Sequence, residues 1–307
     1  MSEPIIKRIC DNSPVREKIA NAYMNTDKIK TRIQWGYDLT EDPLTGVSQL
    51  GEVIGESENT VVLGGKLYML ERIFGVRANT KVEYLNNFVF DGSDGNFPAA
   101  NLGSFENYTN DHRICLFNVG IGGCGSSYTD IANAKIQDRI IPGMIPFRVT
   151  PELLSGEESS KYAFVRQVTT EDGTFYEYYL KRFDKDPTIF ALWKDTADGS
   201  DGTSVGGEAY NDTRSDQIEV FVEIVLTISS TDLREYFNVY AGLSENIGPE
   251  HARFNTLGLC SGSPVQTSFK GTNITEYSQV LQETILTFGN ELLHMDKDLK
   301  YIYRLYK

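Results

Sequence analysis

Apolar and polar positions repeat with two different periods along the chain, helical in the first quarter and β from there on. Ser13-Pro14 supplies a helix cap and a first turn, and Val15, Ile19, Ala22 and Tyr23 follow at helical spacing. A second helical stretch is expected through Ile29, Ile33 and Trp35, ended by Gly36. After Gly64-Gly65, the residues Leu67, Leu70, Ile73 and Phe74 show the same period and stop at Gly75. Together these predict short core-facing helices and an N-terminal helical segment over residues 1–80, packed on a β-rich core domain over residues 81–307.

From about Lys81 the pattern turns to β. Val82 to Leu85 and Phe88 to Phe90 read as strands before the turn-forming run Asp91-Gly92-Ser93-Asp94-Gly95-Asn96, and Ile114 to Val119 reads as a buried strand. Tyr162 to Thr170 and Thr174 to Phe183 flank Glu171-Asp172-Gly173, a hairpin whose Asp-Gly pair offers the positive φ angles of a tight turn. The stretch Asp195 to Gly207, dense in Gly, Asp, Ser and Thr, predicts a long exposed loop. In Gln217 to Ile228 the residues Ile218, Val220, Val222, Ile224, Leu226 and Ile228 form one apolar face, with Glu219 and Glu223 on the other. A strand of that length should bridge two packed layers or reach a neighbour. Ser229 to Asp232 then has the spacing of a helix capping box. The last strand alternates Leu299, Tyr301, Tyr303 and Leu305 with Lys300, Ile302, Arg304 and Tyr306, and is expected to be tied into a sheet of its own subunit or of another. The fold class that follows is α+β and mainly β, an antiparallel sandwich or barrel with short N-terminal helices.

Composition narrows the partners. At 307 residues the chain buries roughly 70–75% of its unfolded surface and needs no metal or disulfide to build a core. A net charge of -14 argues against non-specific nucleic-acid and anionic-lipid binding, and no sequence-specific nucleic-acid partner is expected. Cys10, Cys115, Cys124 and Cys260 form no CxxC pair, so no zinc site is indicated and free thiols of a reducing cytoplasm are expected. The apolar stretch at the N-terminus is too short for a signal-peptide core, and no apolar run is long enough to span a membrane. The N-x-T sequons at Asn107, Asn211 and Asn273 are then expected to be chance matches.

Few residues suggest chemistry. Gly120-Ile121-Gly122-Gly123-Cys124-Gly125 has the dinucleotide-binding spacing and follows a predicted strand, yet neither a helix nor the second strand with its acidic residue follows in place. A glycine-rich turn or a close backbone contact explains it better, and no cofactor is expected. Asp91, Asp94 and Asn96, and Asp195, Asp198 and Asp201, lack the spacing of an EF-hand and read as solvated turn carboxylates, with no metal expected. His112, His251 and His294 sit in no hydrolase or metalloprotease motif, and Cys260 reads as a buried thiol. Glu219 and Glu223 share a strand face as a glycosidase pair would, but a wet sheet face explains them without activity. Many of the 17 tyrosines and 16 phenylalanines, Tyr176, Tyr178 and Tyr179 among them, suit half-buried faces or faces covered by a neighbour.

Three stretches, Ile140 to Val149, Ile218 to Leu226 continuing into Asp232 to Phe237, and Arg253 to Leu259, together resemble virion structural proteins of large contractile-tailed bacteriophages. The resemblance covers about residues 110–260. It implies a subunit repeated in a ring of the capsid, neck or tail, assembled in the host cytoplasm, acting through contacts with itself and other virion proteins and catalysing nothing. The contacts are expected at Tyr301, Tyr303, Leu305 and Tyr306 of the last strand and at Asp198 and Asp201 of the acidic loop. The other reading of the aromatic and acidic residues is a carbohydrate-binding or carbohydrate-hydrolysing β module.

Overall fold

The computed structural model describes residues 30–74, 85, 111–123, 133–194, 201–204, 218–233, 254–289 and 296–306. The strands are β1 (Lys30–Glu41), β2 (Ser48–Ser57), β3 (Thr60–Val61), β4 (Arg113–Gly120), β5 (Met144–Ile145), β6 (Arg148–Thr150), β7 (Tyr162–Thr170), β8 (Gly173–Arg182), β9 (Thr188–Lys194), β10 (Asp201–Ser204), β11 (Ile218–Ile228), β12 (Thr256–Phe269), β13 (Thr272–Thr287) and β14 (Leu299–Tyr306). Helix α1 spans Leu63–Phe74 and the short helix α2 spans Gly156–Ser159. One sheet has the order β10-β9-β11-β14-β1-β2, and the other β3-β13-β12-β4-β8-β6, with β5 on β4 and β7 on β8. Every described pairing is antiparallel.

The sheets share one large core. Ile33, Trp35, Ile224, Leu226, Tyr301 and Tyr303 of the six-stranded sheet lie in the same cluster as Phe117, Tyr162, Tyr178, Leu257, Leu259 and Leu286 of the eight-stranded sheet. The mainly β, antiparallel sandwich expected from the pattern is therefore what the chain forms. Two separate sheets, not a closed barrel, enclose the core.

Local expectations fare unevenly. The predicted strand at Ile114 to Val119 is β4, and the predicted hairpin is β7–β8. Thr170 pairs with Gly173, so Glu171 and Asp172 form the two-residue turn, and Gly173 at φ +135° closes it. The helix expected through Ile29, Ile33 and Trp35 is corrected: Ile33 and Trp35 lie in β1, in the interior of the six-stranded sheet, and Ile29 lies outside the described residues. Thr31, Ile33, Trp35 and Tyr37 are buried while Arg32 is exposed, a period of two that the β-branched and aromatic side chains favour. Residues 30–57 thus belong to the main sheet and not to a helical segment laid on it. Helix α1 does form, but its buried face runs through Tyr68 and Glu71, while Leu70 is 37% exposed. The predicted helix over Val15 to Tyr23 and the predicted strands near Val82 and Phe88 lie outside the described residues, apart from Leu85, whose N–H donates to Val280 O.

The long strand β11 does serve two layers, though not with one face. Ile224, Leu226 and Ile228 point into the shared core, whereas Phe221 packs on the opposite side of the sheet with Val47 and Leu192. Glu223, expected on a wet face, is buried, and Val220, expected in the core, is 41% exposed.

Candidate functional site

The glycine run after β4 is built for close approach. A Cβ on Gly122 would meet the Pro142 carbonyl carbon at 2.7 Å, and one on Gly123 would collide with the Asn255 backbone oxygen. The amides that a phosphate would need are already donating: Ile121 N–H to Gly143 O at 3.0 Å, Gly122 N–H to Pro142 O at 3.1 Å, and Gly123 N–H to Asn255 Oδ1 at 2.6 Å. The close backbone contact expected for these glycines is what this loop makes. Cys124 and Gly125 lie outside the described residues.

The buried ionisable groups fall into separate structural clusters. On the outer face of the six-stranded sheet, Glu223 accepts from Arg304 Nε at 3.0 Å and from Ser48 N–H at 3.1 Å, and Arg304 also donates to the Ser48 carbonyl. This ties the end of the β1–β2 hairpin across β14 and β11, and it removes Glu223 from any wet pair with Glu219. Between the sheets, the Asp232 carboxylate accepts from Lys181 Nζ at 2.5 Å and from Tyr162 Oη at 2.7 Å. Burial, reinforced by the Asp232 charge, pushes the Tyr162 hydroxyl far above its ordinary range. The Asp232 N–H donates to Ser229 Oγ at 3.1 Å, so Ser229 caps as expected. The Asp232 side chain does not complete the box, because it ties the β7–β8 hairpin to the end of β11.

In the eight-stranded sheet the polar groups are acids, amides and thiols. Ser261 Oγ donates to Glu283 Oε1, and Asn118 Nδ2 donates to Gln282 Oε1 at 2.8 Å. Burial pushes Glu283 up to about 8, with the Ser261 hydrogen bond opposing, and burial alone pushes Glu276 up to about 8. His112 Nε2 donates to Gln279 O at 2.9 Å, a carbonyl displaced where Gln279 adopts φ +52°. Cys260 is the buried thiol expected, raised well above the ordinary thiol range by burial, and burial pushes Cys115 up to about 11. Thiols held protonated in this way are poor nucleophiles. Among the described residues no group of three or more His, Cys, Asp or Glu has the geometry of a metal site.

The expected contact residues are distributed differently from the reading of the last strand. Both edges of β14 are taken, by β1 and by β11, and Tyr301 and Tyr303 are fully buried in the shared core. Tyr306 packs on Phe221 at 5.2 Å between ring centroids, and Leu305 is half-buried. The strand therefore has no free edge for a neighbour, which corrects the expectation of sheet augmentation there. Asp201 opens β10, opposite Lys194, so part of the supposed acidic loop is an outer strand. Asp198 lies outside the described residues. Tyr176, Tyr178 and Tyr179 are likewise buried by their own chain, with the Tyr178 hydroxyl accepting from Leu154 N–H.

What sequence reasoning missed is the other end of the same sheet. β2 is ten residues long, and among the described residues it pairs on one side only, with β1. Val53, near its middle, is 52% exposed. The acids of this strand are matched from within the chain: Glu56 pairs with Arg32 at 2.8 Å and Glu52 with Lys297 at 3.5 Å. The sequence carries little signal for β2, because Leu50, Glu52, Ile54 and Glu56, two residues apart, share one face of the strand and do not sort apolar from polar between the faces. No helix among the described residues is long and apolar enough to cross a membrane. No family model, curated protein or solved structure gives a significant match to the chain.

Proposed function

We propose that the chain is a structural subunit of a contractile-tailed bacteriophage virion, placed in a ring of the neck or tail and acting through contacts with its own copies and with other virion proteins. The observation that carries this reading is the six-stranded sheet, whose two ends, β2 and β10, are different strands that pair on one side only among the described residues. An outer strand presents a row of backbone donors and acceptors to any chain that can extend the sheet. Two unlike ends on one sheet suit a head-to-tail contact, and a head-to-tail contact closes into a ring when its rotation permits. The resemblance of Ile140 to Val149, Ile218 to Leu226 with Asp232 to Phe237, and Arg253 to Leu259 to phage virion proteins supplies the context. The polar clusters support the same reading, because Glu223, Asp232, Glu283 and Asn118 are each hydrogen-bonded within the fold and the reading assigns no reaction to any of them.

Native mass determination on the purified full chain tests it. The expected mass is a multiple of the 34.5 kDa subunit, falling to the single subunit in Val53→Lys, which places a charge on the exposed centre of β2. A wild-type chain that stays at the single-subunit mass at high micromolar concentration would count against the reading.

A further inference from the structure

Lysine is seldom found inside a protein, and this chain adopts an unusual backbone to put one there. In β8, Tyr178 belongs to the shared core and Tyr179 to the cluster away from it, so strict alternation would send Leu180 inward and Lys181 outward. Leu180 instead adopts φ +54° and joins the cluster of Tyr179. A left-handed conformation is costly for a bulky residue, and such outliers gather at functional sites. Lys181 then lies in register between Tyr162 of β7 and Phe117 of β4, both of the shared core. Its Nζ meets one oxygen of Asp232, just beyond the end of β11, at 2.5 Å, and the other oxygen accepts from Tyr162 Oη at 2.7 Å. Lys181 is 5% exposed and Asp232 3%, so the pair is sealed from water. The Tyr162 ring packs on Phe147 and Tyr178. Two charges in such a site have lost their hydration, and a neutral product of the same groups removes that cost.

We propose that Lys181 and Asp232 condense within the folded chain, forming an amide between Nζ and Cγ. One proton moving from Nζ to Oδ2 along the existing hydrogen bond turns the ion pair into a free amine and a carboxylic acid. The amine lone pair adds to Cγ and forms the C–N bond, while Tyr162 Oη donates to Oδ1, the oxygen on which negative charge develops. Burial and the Asp232 charge keep the proton on Tyr162, so its hydroxyl remains a donor. The Cγ–Oδ2 bond then breaks, and Oδ2 leaves as water with two of the three ammonium protons. Nothing is oxidised or reduced, and no co-reactant is needed. Groups fixed in reacting geometry behave as if at an effective concentration of about 10⁵–10⁸ M, and a dry site holds little water to reverse the step. The product ties β8 of one sheet to the end of β11 of the other through residues 51 apart in sequence. It is a reaction of the chain with itself and is independent of the assembly role.

The test is intact-mass measurement and tryptic peptide mapping of the purified full chain, denatured after long incubation in the folded state near neutral pH. The expected mass is one water below that of the sequence, with a branched peptide joining the segments that contain Lys181 and Asp232. Lys181→Arg keeps the cation and should retain the full mass of its sequence. Tyr162→Phe should slow the appearance of the branched peptide about tenfold or more. Wild-type chain at full sequence mass, with the two peptides recovered separately, would overturn the proposal. So would a loss of water that maps to other residues or that persists in Lys181→Arg. The wild-type chain alone decides the outcome, so a variant that fails to fold leaves the test intact.

Discussion

Buried glutamates are accommodated by opposite means in the two sheets. On the six-stranded sheet Glu223 is buried beside a cation, and the Arg304 guanidinium and the Ser48 N–H together satisfy its oxygens. On the eight-stranded sheet Glu276 and Glu283 are just as deeply buried, yet among the described residues neither forms a salt bridge, and burial holds both up to about 8. The same side chain thus has a cation beside it in one sheet and none in the other. A counter-charge within hydrogen-bond reach makes the difference, because an unpaired carboxylate in a desolvated site gives up its charge before it gives up its place.

The comparison is broken most forcefully at Arg304. Arg304→Met leaves Glu223 buried with no cation and should cost about 3–5 kcal/mol in urea unfolding. Adding Glu223→Leu should recover much of that loss, because the buried charge goes with its partner. The exposed pair Arg32–Glu56 provides the scale, since Glu56→Gln should change stability by about 1 kcal/mol or less. Equal losses at the buried and exposed pairs would show that burial does not set the value of the Glu223–Arg304 contact.

The eight-stranded sheet is sharpened by pH. Glu276 and Glu283 have folded-state values raised above the ordinary 4.5, so the folded chain holds protons that the unfolded chain releases. Their contribution is fully present below about pH 4.5 and is lost as pH rises through about 8. Each acid contributes a slope of at most about 1.4 kcal/mol per pH unit within that window. Glu283→Gln should flatten the decline in a chemical-denaturation series from pH 5 to 8. A wild-type stability that rises across the same window would contradict the assignment.

These buried polar groups also explain what the sequence conceals. The β7–β8 hairpin and β4 were legible, since apolar runs there end at a turn or a glycine. The longest hairpin, β12–β13, was not. Gln279, Gln282, Glu283 and Thr284 are all buried on β13, so its hydrophobic period is masked by polar residues, of which Gln282, Glu283 and Thr284 find hydrogen-bond partners on the neighbouring strands β4 and β12. Its turn, Lys270 at φ +49° and Gly271 at φ +82°, lacks the Asn-Gly or Asp-Gly pair that marks such turns. β11 misled in another way: its alternation was read correctly, but Phe221 and Glu223 are covered by Val47 and Ser48 of the β1–β2 hairpin, a tertiary contact that no local pattern encodes. The contact strand was misplaced for the same reason. β14 carries the aromatic alternation of an interface, and the fold spends it on the interior.

The proposed subunit role rests on the contrast between the doubly paired β14 and β2, which among the described residues is paired on one side. Residue-resolved amide exchange tests this most directly, measured on dilute single subunits and on the concentrated assembly. The account predicts that amides of Lys300–Leu305 are protected in both states, whereas amides of Gln49–Ser57 gain protection on assembly. Exchange in β2 that stays the same while the native mass rises would place the subunit contacts elsewhere and contradict it.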